Sequence, residues 1–496
     1  MSVWNKRKKD KKSLENNQPL EFGQNQSLKK KKRANRQILQ ITYIFVALFL
    51  ALVGYIIYFV TVDSRSVITD SHNRRLSALE KNVVRGKIIS SDGKVLAQTV
   101  SDDSGNEERY YPYGRMFAHV VGYNDKGKSG IESKWNFELL TSNSNIFTQI
   151  STDLKGEKNL GDDVYTTLNT SVQKAAYNAL SGEKGAVVAM DPQTGAVVAM
   201  VSKPDFRPGK VAQNWEELNT DSDAMLVNRA TQGLYPPGST FKVVTALEYM
   251  REYGANNNFK YKCTGYTKIN NVKIHCYGGE AHGTVDMEEA IEKSCNTAIV
   301  HMASQLNKGK MASLATDLMF DSKIPISIAA NSSRFSFNKK SSDSTVPQIA
   351  IGQGSTLITP LQNCMVIAAI ANGGTMMEPY LVSQVKNSDN GVIKETKTKE
   401  LSSPMTKSES KALKKMLRKV VTKGTGSKAY SSNYYSYGKT GSAEYNSDKD
   451  SHAWYIGGAE YNGKKLVVGV IVEGGGSGGR VAAPIAKDIF DAYFNQ

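Results

Sequence analysis

Residues 41–62 carry no charged side chain across 22 positions. As a helix they span roughly 33 Å, against ~30 Å of bilayer hydrocarbon. The run exceeds the roughly 7–15 residues of a signal-peptide core and no A-x-A-like site follows, so an uncleaved anchor is expected rather than a cleaved leader. Beyond it, Val67, Ile68, Leu76 and Leu79 have a weak helical spacing. Residues 85–89 read as a strand ahead of an Ser91-Asp92-Gly93 turn. Residues 109–140 mix Tyr, Gly and short apolar runs, as in a small mixed domain. Val172, Ala175, Ala176 and Ala179 share a helical face that stops at Gly182. The apolar runs 186–190 and 196–200 flank Asp191-Pro192-Gln193-Thr194-Gly195 and predict a β-hairpin. Thr359-Pro360-Leu361 opens a buried helix that runs to 371. Strands are expected over 454–459 and 466–473, and a helix over 484–494. Strands at both ends of one region with helices between them give an α+β class.

Charge adds an orientation. The chain has 496 residues, room for two or three domains, and a formal charge of +16. Residues 1–36 hold 12 Lys and Arg against three acids, without periodicity, and read as a disordered cytoplasmic tail. Lys29, Lys30, Lys31, Lys32, Arg33 and Arg36 abut the apolar run, so the positive-inside rule puts everything after Asp63 outside the cell. The basic tail therefore serves topology, and no nucleic-acid partner is expected. No dinucleotide fingerprint, P-loop or repeat supports nucleotide chemistry.

Three motifs carry candidate chemistry: Ser239-Thr240-Phe241-Lys242, Ser294-Cys295-Asn296 and Lys439-Thr440-Gly441. A serine hydroxyl needs a neighbour to accept its proton. Pro236-Pro237-Gly238 ends a loop just before Ser239, and Val243, Val244 and Leu247 continue an apolar face. Ser239 is thus expected at a helix N-terminus with Lys242 one turn on. A desolvated lysine there serves as base. S-x-x-K alone is common in this chain, at Ser91/Lys94 and Ser171/Lys174 among others, and usually marks a solvated pair. The other two motifs change that reading. Ser294 and Asn296 offer a proton relay and an amide, and Lys439-Thr440-Gly441 offers a cationic edge strand whose glycine lets a peptide approach.

In this order, behind a membrane anchor, the motifs resemble those of class B penicillin-binding proteins, which are monofunctional peptidoglycan DD-transpeptidases. Arg85-Gly86, Asp92-Gly93-Lys94, His119-Val120-Val121-Gly122 and Gly130-Ile131-Glu132 resemble blocks of that family's non-catalytic domain. Asn228-Arg229-Ala230, Gly352-Gln353-Gly354 and Thr359-Pro360-Leu361-Gln362 resemble landmarks of its transpeptidase domain. The resemblance implies the penicillin-binding transpeptidase fold: an antiparallel five-stranded sheet flanked by helices with a helical subdomain, a small N-terminal pedestal and one transmembrane helix. It implies a tail over 1–36, a span over 37–62, a pedestal over 63–170 and a transpeptidase domain over 171–496.

It also implies roles. Ser239 is the nucleophile acylated by a D-Ala-D-Ala stem peptide, and Lys242 is the base. Ser294 and Asn296 relay protons and hold the acyl chain, while Lys439 and Thr440 bind the substrate carboxylate. The N–H groups of Ser239 and Ser442 form the oxyanion hole beside Gly441. β-Lactams trap Ser239, and a membrane-embedded peptidoglycan glycosyltransferase is the implied partner. Alternatives are a DD-carboxypeptidase or β-lactamase, in which water replaces the acceptor amine, and a β-lactam sensor or scaffold that acylates without turnover.

The chemistry requires no cofactor. Cys263, Cys276 and Cys295 nevertheless fall in one window with His275 and His282, and three thiolates with an imidazole suit a structural zinc. Similar sites occur in some class B enzymes, with matching placement for Cys276, His282 and Cys295. Cys263, Cys276, His282 and Cys295 are the expected ligands. A Cys263–Cys276 disulfide, or inert thiols, are the alternatives. Cys364 is expected in the core, and His72, His119, His301 and His452 are read as structural.

Overall fold

The computed structural model describes residues 20–59, 80–255, 257–444 and 451–495. The helix expected around Val67 to Leu79 lies outside them. The chain divides into two units, Met1–Asp70 and Ser71–Gln496.

Among the described residues the first unit holds helix α1 (Leu20–Tyr58). It starts well before the apolar run, so residues 20–36, expected to lack a fold, are helical. Their Lys, Arg, Gln and Leu are good helix formers, and an apolar helix next door supplies the nucleus. The stretch from Lys30 to Tyr58 is long and apolar enough to cross a membrane and is unique in that among the described residues. Its described side chains are exposed all round, as a lipid-facing helix requires.

Among the described residues the second unit contains two large sheets, with four two-stranded pairs besides. Strands β1 (Ile88–Ile89), β2 (Val95–Ser101), β3 (Glu107–Tyr110) and β4 (Asp163–Thr166) belong to a six-stranded sheet. The five-stranded sheet begins with the expected hairpin, β5 (Gly185–Met190) and β6 (Val197–Lys203). Strands β7 (Val382–Lys386) and β8 (Val392–Glu395) return to the first sheet, whose order is β8-β7-β4-β1-β2-β3. This sheet thus takes two strands from inside the stretch 171–496, where sequence alone placed only the second domain. The pairing buries Val164 of β4 with Val382 and Val385 of β7. Arg85 and Arg109 both meet the fully buried Glu132 at 2.7 Å, joining the Arg85-Gly86 and Gly130-Ile131-Glu132 blocks.

The last strands are β9 (Tyr435–Ala443), β10 (His452–Tyr461) and β11 (Lys464–Val472). They complete an antiparallel sheet of order β9-β10-β11-β5-β6. Its side chains alternate between two cores. Ala186, Val188 and Met190 share a core with helix α5 (Pro360–Ala371), every residue of which is buried. Val187 and Ala189 share the other with α2 (Thr170–Ala179) and α7 (Ala482–Phe494). Cys364 lies in α5 at full burial, as expected. Beyond the α5 face lie α3 (Lys242–Tyr253), α4 (Asn296–Ala303) and α6 (Lys407–Thr422), which form the helical subdomain. Strand β9 is left as a sheet edge, and the three motifs meet there.

Candidate active site

Ser239 lies in a single 3-10 turn, Gly238–Phe241, that runs directly into α3. The turn is pinned from several sides. Trp454 of β10 donates its indole N–H to Pro236 O at 3.0 Å, and Thr240 donates to Pro237 O at 2.8 Å. Asn363 of α5 donates to Thr240 Oγ1 at 3.1 Å. Gly238 has φ +54, and a Cβ there would stand 3.0 Å from both Ser442 O and Ala443 Cβ. Glycine at this position lets the serine turn sit against β9. Gly441 serves the same contact from the other side. A Cβ on it would meet Thr240 Cγ2 at 3.1 Å and Pro237 O at 3.3 Å. Its lack of a side chain thus admits the serine turn.

Lys242 is fully buried one turn after Ser239. Its ammonium donates to Ser294 O at 2.7 Å, Ser294 Oγ at 3.0 Å and Asn296 Oδ1 at 2.5 Å. Among the described residues no hydrogen bond joins it to the half-buried Ser239 hydroxyl. Burial pushes its pKa down to about 8, against a smaller raising effect of Cys295 and Cys276. Ser294 adopts φ +55, a left-handed conformation unusual for serine, which turns both its carbonyl and hydroxyl onto Lys242. Lys439, also fully buried, donates to the same Ser294 Oγ at 2.9 Å and to Thr440 O at 3.0 Å. Burial, then the charge of Lys242, lowers its pKa far below the usual lysine value.

The motifs border a cavity of about 730 Å³ lined by Ser239, Ser294, Asn296, Thr440, Gly441 and Ser442. Lys242 and Lys439 stand behind that wall. Ser294 Oγ accepts from both ammonium groups, which leaves its own O–H proton free to point elsewhere.

Cys263, Cys276, His282 and Cys295 are brought together, with donor atoms all within 4.8 Å of one another. Tetrahedral zinc, bonded at about 2.3 Å to sulfur and 2.0 Å to nitrogen, separates its donors by roughly 3.5–3.8 Å. The Sγ atoms of Cys263 and Cys276 are 3.7 Å apart, those of Cys276 and Cys295 3.8 Å, and Cys263 Sγ lies 3.4 Å from His282 Nδ1. The donor set fits the ion. All four cysteines of the chain are free, and 3.7 Å is far longer than a disulfide bond. The Cys276 thiol is lowered in pKa by the hydrogen bond from Cys295, which is raised in turn.

Residues 185–491 match the family model of the penicillin binding protein transpeptidase domain. The chain belongs to the penicillin-binding protein family. Residues 85–164 of this penicillin-binding protein match a second model, the penicillin binding protein A dimerisation domain. Peptidoglycan D,D-transpeptidase PbpA of Mycolicibacterium smegmatis is 31% identical over 451 residues, covering 84% of this chain and 90% of the relative. Stage V sporulation protein D of Bacillus subtilis is 27% identical, covering 84% and 69%. Among solved structures, the imipenem acyl-enzyme of penicillin-binding protein A from M. tuberculosis superposes with a TM-score of 0.77 at 29% identity, covering 84% of this chain and 99% of that one. A D,D-transpeptidase domain from Eggerthella lenta gives 0.75 at 30% identity with the same coverage.

Three contacts at the site escaped sequence reasoning. Asn296 Nδ2 donates to His275 O at 2.7 Å, and Thr425 Oγ1 lies 2.6 Å from Thr440 Oγ1. Gln353, with its amide in the orientation its surroundings demand, donates to Glu444 O at 3.1 Å and accepts from Glu444 N at 3.2 Å. The first contact is made by a backbone carbonyl, which no side-chain motif encodes. The Gly352-Gln353-Gly354 motif was visible, but its partner is a main chain 91 residues away.

Proposed function

We propose that this penicillin-binding protein is a membrane-anchored serine DD-transpeptidase that cross-links peptidoglycan stem peptides and is acylated by β-lactams. The observation that carries the reading is Ser294 Oγ held between two buried lysines beside Ser239. Neutral Lys242 accepts the Ser239 proton as Oγ attacks the carbonyl of the penultimate D-Ala. The N–H groups of Ser239 and Ser442 receive the developing oxyanion. Ser294 passes the proton to the departing D-Ala amine, and the ester forms on Ser239 as that amide bond breaks. An acceptor amine then attacks the ester, returning the proton to Ser239 through the same relay. Thr440 binds the donor carboxylate with the charge of Lys439 behind it, and Asn296 holds the acyl chain. These side chains supply the whole reaction, with no cofactor.

Zinc held by Cys263, Cys276, His282 and Cys295 would supply structure alone, tying the 263–282 segment to the residue between Ser294 and Asn296. One equivalent of zinc in protein purified without chelator supports this, and a stoichiometry near zero refutes it. Helix α1 is read as a single span with a cytoplasmic N-terminus, from the basic residues that precede it. A tail over 1–36, a span over 37–62, a pedestal over 63–170 and a catalytic domain over 171–496 fit that topology. A membrane-embedded glycosyltransferase is the partner this arrangement suits, because a cross-linking enzyme needs freshly polymerised strands.

The test is product analysis with a D-Ala-D-Ala pentapeptide and an amine acceptor. Amide product in excess of hydrolysed tetrapeptide supports transpeptidation, whereas hydrolysis that ignores the acceptor makes the protein a carboxypeptidase.

A further inference from the structure

Strand β9 is the outer strand of its sheet, and on a strand alternate residues present side chains and backbone groups the same way. Thr440 and Ser442 form one such series within β9, Glu444 follows directly after its last residue, and all three line the cavity that holds Ser239. The first two positions have roles in the reading above: Thr440 at the donor's terminal carboxylate and Ser442 at the carbonyl under attack. A donor laid along this edge therefore runs antiparallel to β9. At about 3.3 Å per residue, Glu444 lies roughly 7 Å beyond Ser442, where the donor residue preceding the scissile one arrives.

The structure prepares this position. Gln353 takes both backbone groups of Glu444, closing the strand edge two residues after Ser442. A peptide's main chain has to leave the edge there, and only its side chain goes on to meet Glu444. The Glu444 carboxylate is exposed, and among the described residues it makes no hydrogen bond or ion pair. The cavity's other carboxylate, Glu280, belongs to the 276–282 loop of the cysteine cluster and not to the donor strand.

We propose that Glu444 selects donors with a cationic side chain on the residue preceding the scissile D-alanine, and that Gln353 is its positioning residue. The inference rests on the transpeptidase reading. An ammonium group gains a partly exposed ion pair with Glu444, whereas an apolar side chain of equal length gains nothing and leaves the carboxylate to water.

The experiment uses the full-length protein in detergent with two peptides ending in X-D-Ala-D-Ala, where X is lysine or norleucine. It measures D-alanine release and, separately, acylation by benzylpenicillin. The parent is expected to favour the lysine peptide about fivefold in kcat/KM. In Glu444→Gln the preference falls to near unity through loss on the lysine peptide alone, with norleucine turnover and penicillin acylation unchanged. Gln353→Ala weakens the preference, Gln353→Asn partly restores it, and Glu280→Gln keeps it. A parent without preference, a Glu444→Gln protein that retains it, or a preference lost in Glu280→Gln instead overturns the proposal. So does Glu444→Gln losing penicillin acylation, which would make Glu444 part of the catalytic framework. A parent that neither binds penicillin covalently nor releases D-alanine contradicts the transpeptidase reading itself.

Discussion

Lys242 Nζ donates to Asn296 Oδ1 at 2.5 Å, and the same amide donates from its other end to His275 O. One side chain thus fixes the proposed base to the segment that carries Cys276. Asn296→Ala removes the clamp while leaving the start of α4 to the Cys295 cap. Penicillin acylation is expected to slow roughly 100-fold, within the range of a misplaced acid–base group. Stopped-flow acylation with a fluorescent penicillin, beside an unchanged melting curve, checks this.

The acylation rate carries the titration of Lys242. As the proposed base the amine works only when neutral, and burial lowers its pKa to about 8. Acylation should rise about tenfold per pH unit below that value and level off above it. Lys242→Arg stays charged throughout and is expected to lose the rise together with most of the rate.

Stability on the acid side should depend on His119. The imidazole is buried and donates Nε2–H to Met225 O at 2.8 Å; burial lowers its pKa from 6.5 to about 4. The unfolded chain therefore takes up a proton at a pH where the folded chain does not. The stability held by neutral His119 is complete above pH 6.5 and is lost as pH falls towards 4, by about 3 kcal/mol. His119→Gln should flatten that part of the melting-temperature profile; an unchanged slope assigns the acid lability elsewhere.

The packing of Gly441 against the serine turn gives a steric prediction. Gly441→Ala sets a methyl 3.1 Å from Thr240 Cγ2 and 3.0 Å from Trp454 Cβ, so strand and turn must part. The variant is expected to lose acylation by at least 10-fold with a stability cost of about 1–3 kcal/mol. Chemical denaturation and acylation, measured on one preparation, give both numbers.

Most elements were legible wherever period and punctuation agreed. Helix α5 runs from a Thr359 cap and Pro360 to a glycine pair, and the β5–β6 hairpin repeats one apolar pattern around a turn. The three motifs named the residues at the cavity and the lysines behind it. Strands β7 and β8 were not legible in the first sheet, because a pairing across more than 200 residues leaves no local signal in Val382 or Val385. The left-handed backbone of Ser294 and the carbonyl of His275 were equally hidden, since conformation and main-chain direction are set by the fold around them.

The central claim is that Ser239 is the acylated nucleophile. Intact-mass analysis of the protein and its Ser239→Ala variant after exposure to benzylpenicillin tests it most directly. One penicilloyl group on the parent and none on the variant is the predicted result. An adduct that persists on the variant, or none on either, contradicts it.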